Sequence, residues 1–392
     1  MKEKICVVTT TRADYGLLRE TIRKISESKT LHLQLIVAGT HLTNEFGKTK
    51  SEIIADNISI DKEVELTVSS NSQTGTCLSF ALGIIGFSNA LEELKPDLIV
   101  LLGDRYEILS LACTATMRNI PIAHIHGGEI TRGAIDDSMR HAITKLANLH
   151  FVVCEEYRNR VIQMGEQEDM VINVGGLGID AIKKTRIKDL KDLEREFTYI
   201  KNKNYLIATM HPETHGNEKT GQEQISEIIN ASAEMEDVIT IFTYPNADSK
   251  GREMIEGIQE AAEKYQNIFA ERSLGMKNYL SLCKHSRGVI GNSSSGILEI
   301  PYLEVPVVNI GGRQEGRVQP QGILNTDNNK ENILMAIREI LKEDYRERLI
   351  SISKDNPYGN GGAAEQIVKE LTRKRDFSKN KRFNDIKTSR YQ

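Results

Sequence analysis

The stretch Gly288-Val289-Ile290-Gly291-Asn292-Ser293-Ser294-Ser295-Gly296-Ile297-Leu298-Glu299 decides how the rest of the chain is read. Its opening reads as a buried strand, its centre as a serine-rich turn and its end as an apolar helix. A strand–turn–helix of this kind leaves backbone N–H groups and three hydroxyls at a helix N-terminus. An anion is favoured there, because those N–H groups lack helical partners and carry the positive end of the dipole. Glu299, about one and a half turns into the helix at ~3.6 residues per turn, can accept hydrogen bonds from both hydroxyls of a ribose. The stretch therefore reads as a nucleotide seat. The plainer alternative is a turn with a serine N-cap.

Working outward, short apolar runs alternate with helical patterns. In the first half, runs at 5–9, 33–38, 98–102, 120–125 and 149–153 are separated by patterns at 15–28, 77–94, 107–117 and 137–147. In the second half, runs at 205–209, 238–243, 268–270, 288–290 and 305–309 alternate with patterns at 222–235, 250–264, 276–285 and 331–341. Near-continuous apolar strands between helices imply a parallel sheet covered on both faces. A chain of 392 residues exceeds one ordinary core. The expected fold is α/β, with two doubly wound domains facing across a cleft. Their expected bounds are 1–174 and 175–371, hinged at Gly175-Gly176-Leu177-Gly178. A basic tail, 372–392, is expected to pack back on the first domain.

Composition narrows the function. Apolar content of 39% and charged content of 27% are ordinary for a soluble chain. A net charge of −4 argues against a dedicated nucleic-acid binder. The stretch 373–392 departs from this with eight basic residues against two acids, and reads as a solvated end. Cys6, Cys77, Cys113, Cys154 and Cys283 are scattered without a C-x-x-C pair, which suits free thiols in a reducing cytosol. No apolar run is read as approaching the ~20 residues of a membrane span. The chain starts directly on a strand pattern, so a cytoplasmic protein without a signal peptide is expected.

In parallel sheets ligands bind at the carboxyl ends of the strands. Polar residues placed there are the candidates: Arg12 and Asp14, His41, Asp104 and Arg105, then His124, His126 and Glu129. The second half offers His211, Asn246 and Asp248, Ser273, the serine loop, Arg313 and Arg317.

Six motifs occur in order: Arg12-Ala13-Asp14-Tyr15, Gly103-Asp104-Arg105, His126-Gly127-Gly128-Glu129, Asp136-Asp137-Ser138-Met139-Arg140-His141, His211-Pro212, and Gly291-Asn292-Ser293-Ser294-Ser295-Gly296. With these the chain resembles the hydrolysing UDP-N-acetylglucosamine 2-epimerases of bacterial sialic-acid pathways, related to the epimerase half of the bifunctional vertebrate enzyme. The likeness runs from about residue 4 to about residue 370. It implies a glycosyltransferase-B-like pair of Rossmann-like domains. It also implies a reaction: UDP is eliminated across C1–C2 to give a 2-acetamidoglucal, and water then adds with inversion at C2, releasing N-acetylmannosamine. Neither metal nor other cofactor is implied.

The resemblance also implies roles. Asp14, Asp104 and Asp137 match acidic positions of the family, and His211 matches its histidine. Asp104 and Asp137 are the expected acid–base pair. Where many relatives read H-I-E-G-G-E, this chain reads His124-Ile125-His126-Gly127-Gly128-Glu129. His126 then stands where the glutamate is usual, and an imidazole, titrating near ~6.5 when unperturbed, can serve as acid or base. Glu129 is the alternative carboxylate. For UDP, the match puts Ser293, Ser294 and Glu299 on diphosphate and ribose, Arg313 near the phosphates and Asn246 near uracil or ribose. Arg12 and Arg105 reach the pyrophosphate from the other domain, with closure about the glycine hinge. Asp180 matches a family acid and equally reads as a helix cap. His41 reads as a substrate-side residue or a plain loop histidine. The expected partners are a UDP-sugar and further copies of the chain, as a homodimer or homotetramer, with no nucleic acid and no membrane. Competing readings keep the mechanism with UDP-2,4-diacetamido-2,4,6-trideoxyglucose, or make the chain a non-hydrolysing epimerase, a glycosyltransferase of the same architecture or a UDP-sugar sensor.

Overall fold

In the computed structural model, residues 2–43, 49–68, 72–131, 135–213, 219–245, 250–352, 355–377 and 381–385 are described. Strand β1 (Glu3–Thr9) shows why the apolar runs become central strands. Ile5 and Val7 lie in one core cluster, and Cys6 and Val8 in another, so alternate side chains are buried on opposite faces. The chain continues through α1 (Arg12–Ser26), β2 (Leu31–Ala38), α2 (Lys50–Ala55), β3 (Lys62–Val64), α3 (Gln73–Leu94), β4 (Leu98–Leu102) and α4 (Tyr106–Met117). It then forms β5 (Ile122–Ile125), α5 (Ile135–Leu146), β6 (Leu149–Val152), α6 (Glu155–Gln163), β7 (Val171–Asn173) and α7 (Leu177–Lys184). These strands make one parallel sheet, ordered β3-β2-β1-β4-β5-β6-β7.

The second unit repeats the logic after α8 (Leu190–Glu196). It runs β8 (Asn204–Thr209), α9 (Gly221–Ala233), β9 (Val238–Thr243), α10 (Gly251–Lys264), β10 (Ile268–Glu271) and α11 (Gly275–His285). Then come β11 (Gly288–Gly291), α12 (Ser295–Leu298), β12 (Val307–Ile310), β13 (Ile323–Thr326), α13 (Lys330–Ile340) and α14 (Glu343–Ile352). Its sheet is parallel and ordered β10-β9-β8-β11-β12-β13. Leu206 and Ala208 face one cluster, Tyr205 and Ile207 the other. Strand order reverses between β1 and β4 in the first sheet and between β8 and β11 in the second. A doubly wound sheet opens its ligand crevice at such a point, beyond the carboxyl ends.

The units are Met1–Glu129, Ile135–Ala181 and Gly361–Gln392 on one side, and Ile130–Ala134 with Ile182–Asn360 on the other. The exchange points thus fall after 181 and after 360, where the sequence suggested 174 and 371. The last helix, α15 (Ala363–Leu371), belongs to the first unit. Two causes are visible. Ala363, Ala364, Ile367 and Leu371 are part of the core around β1 and α1. Asp180 accepts hydrogen bonds from the N–H groups of Gly362 at 2.5 Å and Ala364 at 2.7 Å, capping α15. Loss of such a cap costs about 1–2 kcal/mol, so Asp180→Ala is expected to lower the urea midpoint, and Asp180→Asn to lower it less. An unchanged midpoint in Asp180→Ala would mean that the apolar face alone holds α15.

Two further expectations change. Helix α3 has 22 residues and a mean hydropathy of 1.4 over its most apolar window, so by length and composition it could cross a membrane. In the structure its Gly75, Ser79, Gly83 and Phe87 are buried, while Leu78, Leu82 and Ile85 are exposed. The helix after the serine turn is only Ser295–Leu298, with Glu299 at its C-cap. Pro301 lies in the 3-10 turn that follows; it has no N–H to donate and cannot continue an α-helix.

Candidate active site

Arg140 organises the carboxyl edge of the first sheet. It sits on α5 and its side chain is 2% exposed. The guanidinium donates through Nε to Asp104 Oδ2 at 3.0 Å, with a second bond from Nη2 to the same oxygen. Nη1 donates to Asp137 Oδ1 at 3.1 Å and to the Glu129 carbonyl at 2.9 Å. Burial alone would lower the pKa of Arg140, but the charges of Asp104, Glu129 and Asp137 outweigh it and raise it. The carboxylates remain 26% and 28% exposed, so the cation is sealed while its acids face outward. Asp104 does not cap α4, whose N-cap is Arg105. His141, one residue past Arg140, lies 3.5 Å from Asp137 Oδ2. Sequence reasoning passed over Arg140, although its i+3 spacing from Asp137 on one helix was visible.

Beside this cluster stands a histidine–carboxylate pair. His126 Nδ1 is 2.8 Å from Glu129 Oε1, and both side chains are nearly buried. His126 has φ +70°, a left-handed conformation that a side chain adopts at a cost of ~1–3 kcal/mol. It is pinned there by its N–H donating to the Phe151 carbonyl at 3.0 Å. Residues held so are concentrated at functional sites. His124 is buried, with Nε2 2.8 Å from the Gly103 carbonyl and Nδ1 3.2 Å from Thr144 Oγ1.

The other candidates of the first unit are committed locally. Asp14 closes the capping box of α1, its Oδ2 accepting from Thr10 Oγ1 at 2.7 Å and from the Thr11 N–H at 3.0 Å. Burial raises its pKa against those hydrogen bonds. His41 is fully buried between Thr9 Oγ1 at 3.0 Å and Thr49 Oγ1 at 2.7 Å. Arg12 pairs with Glu52 at 2.8 Å. Arg105 grips the buried Glu107 with a fork at 3.2 and 3.1 Å. Asp180 is occupied as the cap of α15.

In the second unit, His211 and the serine turn meet at the β8/β11 reversal. Gly291 is needed there: its φ is +131°, and a Cβ would lie 2.0 Å from the Thr209 carbonyl oxygen. Asn292, fully buried, clamps the His211 peptide by accepting its N–H at 2.6 Å and donating to its carbonyl at 2.8 Å. The Asn292 carbonyl accepts from Arg313 Nη1 at 3.1 Å and Gln314 Nε2 at 2.8 Å. Glu213 holds the loop, accepting from the N–H groups of Gly312 at 2.9 Å and Arg313 at 3.1 Å. Ser294 is the N-cap of α12 without a side-chain capping bond. The structure thus brings His211, Ser293, Ser294 and Arg313 to one edge. The clamp residues Asn292, Glu213 and Gln314 were not selected, although Asn292 lies inside the quoted stretch. Asn246 and Asp248 lie outside the described residues. Among the described residues no group of three His, Cys, Asp or Glu side chains is placed to hold a metal.

Burial pushes three of these imidazoles down: His41 to about 4, against a backbone bond to Thr11; His124 to about 3, against the Gly103 carbonyl; and His211 to about 3, reinforced by Arg313. Depressed values mean that the folded chain prefers neutral rings, whereas unfolded imidazoles take protons near ~6.5. Their contribution is therefore present above ~6.5 and is lost as pH falls towards about 3 to 4. Thermal unfolding should show a flat midpoint above pH ~6.5 and a falling one below it. A midpoint that rises on acidification would contradict neutral burial.

A family model described as UDP-N-acetylglucosamine 2-epimerase matches residues 23–372. The GDP/UDP-N,N'-diacetylbacillosamine 2-epimerase (hydrolyzing) of Campylobacter jejuni is 39% identical, over 88% of this chain and 89% of its own. The polysialic acid biosynthesis protein P7 of Escherichia coli is 35% identical, over 98% of this chain and 97% of its own. Among solved structures, UDP-GlcNAc 2-epimerase from Neisseria meningitidis bound to UDP-GlcNAc superposes with a TM-score of 0.80 over 94% of this chain and 99% of that one. At 19% identity that likeness speaks for the fold, which is α/β and GT-B-like. With the family model spanning most of the chain and the Campylobacter relative aligned along nearly its whole length, the chain belongs to the hydrolysing UDP-N-acetylglucosamine 2-epimerase family and is an enzyme acting on a UDP-sugar.

Proposed function

We propose that the enzyme converts a UDP-linked 2-acetamido sugar and water into UDP and the free sugar inverted at C2. A base takes the C2 proton, the C–H electrons form the C1=C2 bond, and the C1–O bond breaks to release UDP. Water then returns OH to C1 and a proton to C2 from the opposite face. The reading is carried by Arg140, which gathers Asp104, Asp137 and the Glu129 carbonyl around one buried cation. This supplies two outward carboxylates beside an imidazole held by Glu129, the groups that proton removal and return require. In the proposal His126 takes the C2 proton, and Asp104 and Asp137 serve the water step. The leaving UDP falls to the second unit, with Ser293, Ser294 and Arg313 on its phosphates, Glu299 on the ribose, and His211 beside them. Hydroxyls, N–H groups and a guanidinium suit a departing diphosphate.

For the sugar, the 39% identity to the Campylobacter enzyme favours a 2,4-diacetamido-2,4,6-trideoxy sugar. The family's own description favours N-acetylglucosamine as the second reading. Proton NMR in D₂O with each UDP-sugar separately tests both. Free UDP with product deuterated at C2 is expected, faster for the true substrate. A UDP-sugar inverted at C2 but still linked to UDP would point to a non-hydrolysing epimerase. Turnover only with an added acceptor would point to a glycosyltransferase.

A further inference from the structure

We propose that residues 381–385 form a strap that holds the C-terminal end of α5 and so positions Arg140 at its middle and Asp137 in its first turn. The catalytic half of this proposal rests on the epimerase reading; the structural half does not.

Lys381 is the anchor. Its ammonium donates to the carbonyls of Lys145 at 2.7 Å and Ala147 at 2.6 Å and pairs with Glu166 Oε2 at 2.7 Å. An ammonium has three donors, and all three are engaged. The carbonyls at a helix C-terminus lack helical partners and carry the negative end of the dipole, so a cation is favoured there. Glu166 is itself a hub: it accepts from Lys145 Nζ at 2.6 Å and lies 2.9 Å from His150 Nε2. Although burial raises its pKa, the bonds to His150, Lys145 and Lys381 bring it down to about 2. Around this hub, the Asn384 N–H donates to the Gly165 carbonyl at 2.9 Å and its amide to the Glu166 carbonyl at 3.2 Å. Lys145 Nζ lies 4.9 Å from the Phe383 ring centre.

These contacts share one target. Phe383 is 64% exposed, so the strap adds little core, and its polar bonds converge on the end of α5 and on the turn at 165–167. The chain also travels to get there. Helix α15 packs in the core cluster with α1, whereas α5 contributes Ile143 to the cluster on the opposite face of the sheet. A helix is a stiff rod, and Asp137 and Lys145 are separated by about 12 Å at ~1.5 Å per residue. Arg140, midway along α5, ties the rod to Asp104, and Lys381 ties its C-terminal end to Glu166. Freeing one end lets the rod tilt, and small misplacements of catalytic groups lower turnover steeply.

The test uses the full chain with Lys381→Met, which keeps length and removes charge, and separately with Phe383→Ala. Amide hydrogen exchange is followed in residues 135–147 and, as a reference, in 363–371. Loss of the anchor is expected to speed exchange in 135–147 at least tenfold, because Lys381→Met removes both ammonium bonds to the end of α5 and the pair with Glu166, and to leave 363–371 unchanged. The kcat is expected to fall about tenfold in Lys381→Met, with KM within about twofold, because the strap touches no UDP-binding group. Unchanged exchange in 135–147 overturns the strap. Faster exchange with unchanged kcat overturns its positioning role. A wild-type chain inert towards both UDP-sugars overturns the epimerase reading instead, and the exchange comparison still decides whether the strap holds α5.

Discussion

Arg140→Met is expected to lower the unfolding free energy by about 3–5 kcal/mol, the usual penalty for breaking a buried ion cluster from one side. It is also expected to reduce turnover by about 10²–10⁴, the range ascribed to a positioned acid or base. The stability loss arises because the side chain is 2% exposed and serves acceptors from three segments. Removing it leaves Asp104 and Asp137 facing each other without their cation, and the Glu129 carbonyl without its donor. Arg140→Lys should rescue little of this. An ammonium is a point charge, and it cannot reproduce the planar fork that spans Asp104 and Asp137. The turnover loss has a different origin, since Arg140 acts through the carboxylates it aligns. In an Asp104→Asn background, adding Arg140→Met should therefore cost much less activity than it does in the wild type. Urea unfolding and steady-state kinetics on the four proteins of that cycle give the answer. Additive effects on kcat would mean that Arg140 and Asp104 act separately, and the cluster would lose its claim to be the acid–base centre.

The strands were legible wherever both faces are buried. The run around Ile5, Cys6, Val7 and Val8 is apolar at every position because its odd residues fill one cluster and its even residues the other. Strands β3, β7 and β13 were not seen, because each lies at a sheet edge and is partly exposed. Apolar periodicity weakens there. Site residues were less legible than strands, because residue type suggests chemistry while burial decides it. His41 and Asp14 have the right chemistry, yet one is enclosed by two threonines and the other closes a cap. Arg140 was passed over for the opposite reason: a lone arginine on an amphipathic helix ordinarily faces water. The role of Asp180 was out of reach, since it caps a helix whose partner N–H lies 182 residues away. The short α12, by contrast, could have been read from Pro301.

His126→Gln is expected to cut kcat by about 10²–10⁴ in a chain that remains folded, the loss appropriate to removal of a positioned base. His126 Nδ1 lies 2.8 Å from Glu129 Oε1, and in the proposal the tautomer with its lone pair on Nε2 is the one that takes the substrate proton. Nε2 is buried and has no protein partner among the described residues. The backbone at φ +70° aims the ring, and the energy of that conformation is sustained by the surrounding bonds. Glu129→Gln should weaken turnover less, since it leaves the base in place and removes only the group that orients it. Deuterium wash-in at C2 reports proton abstraction directly and should fall in parallel with kcat. Full turnover in His126→Gln would transfer the base role to Asp104 or Glu129, and the left-handed histidine would then need another explanation.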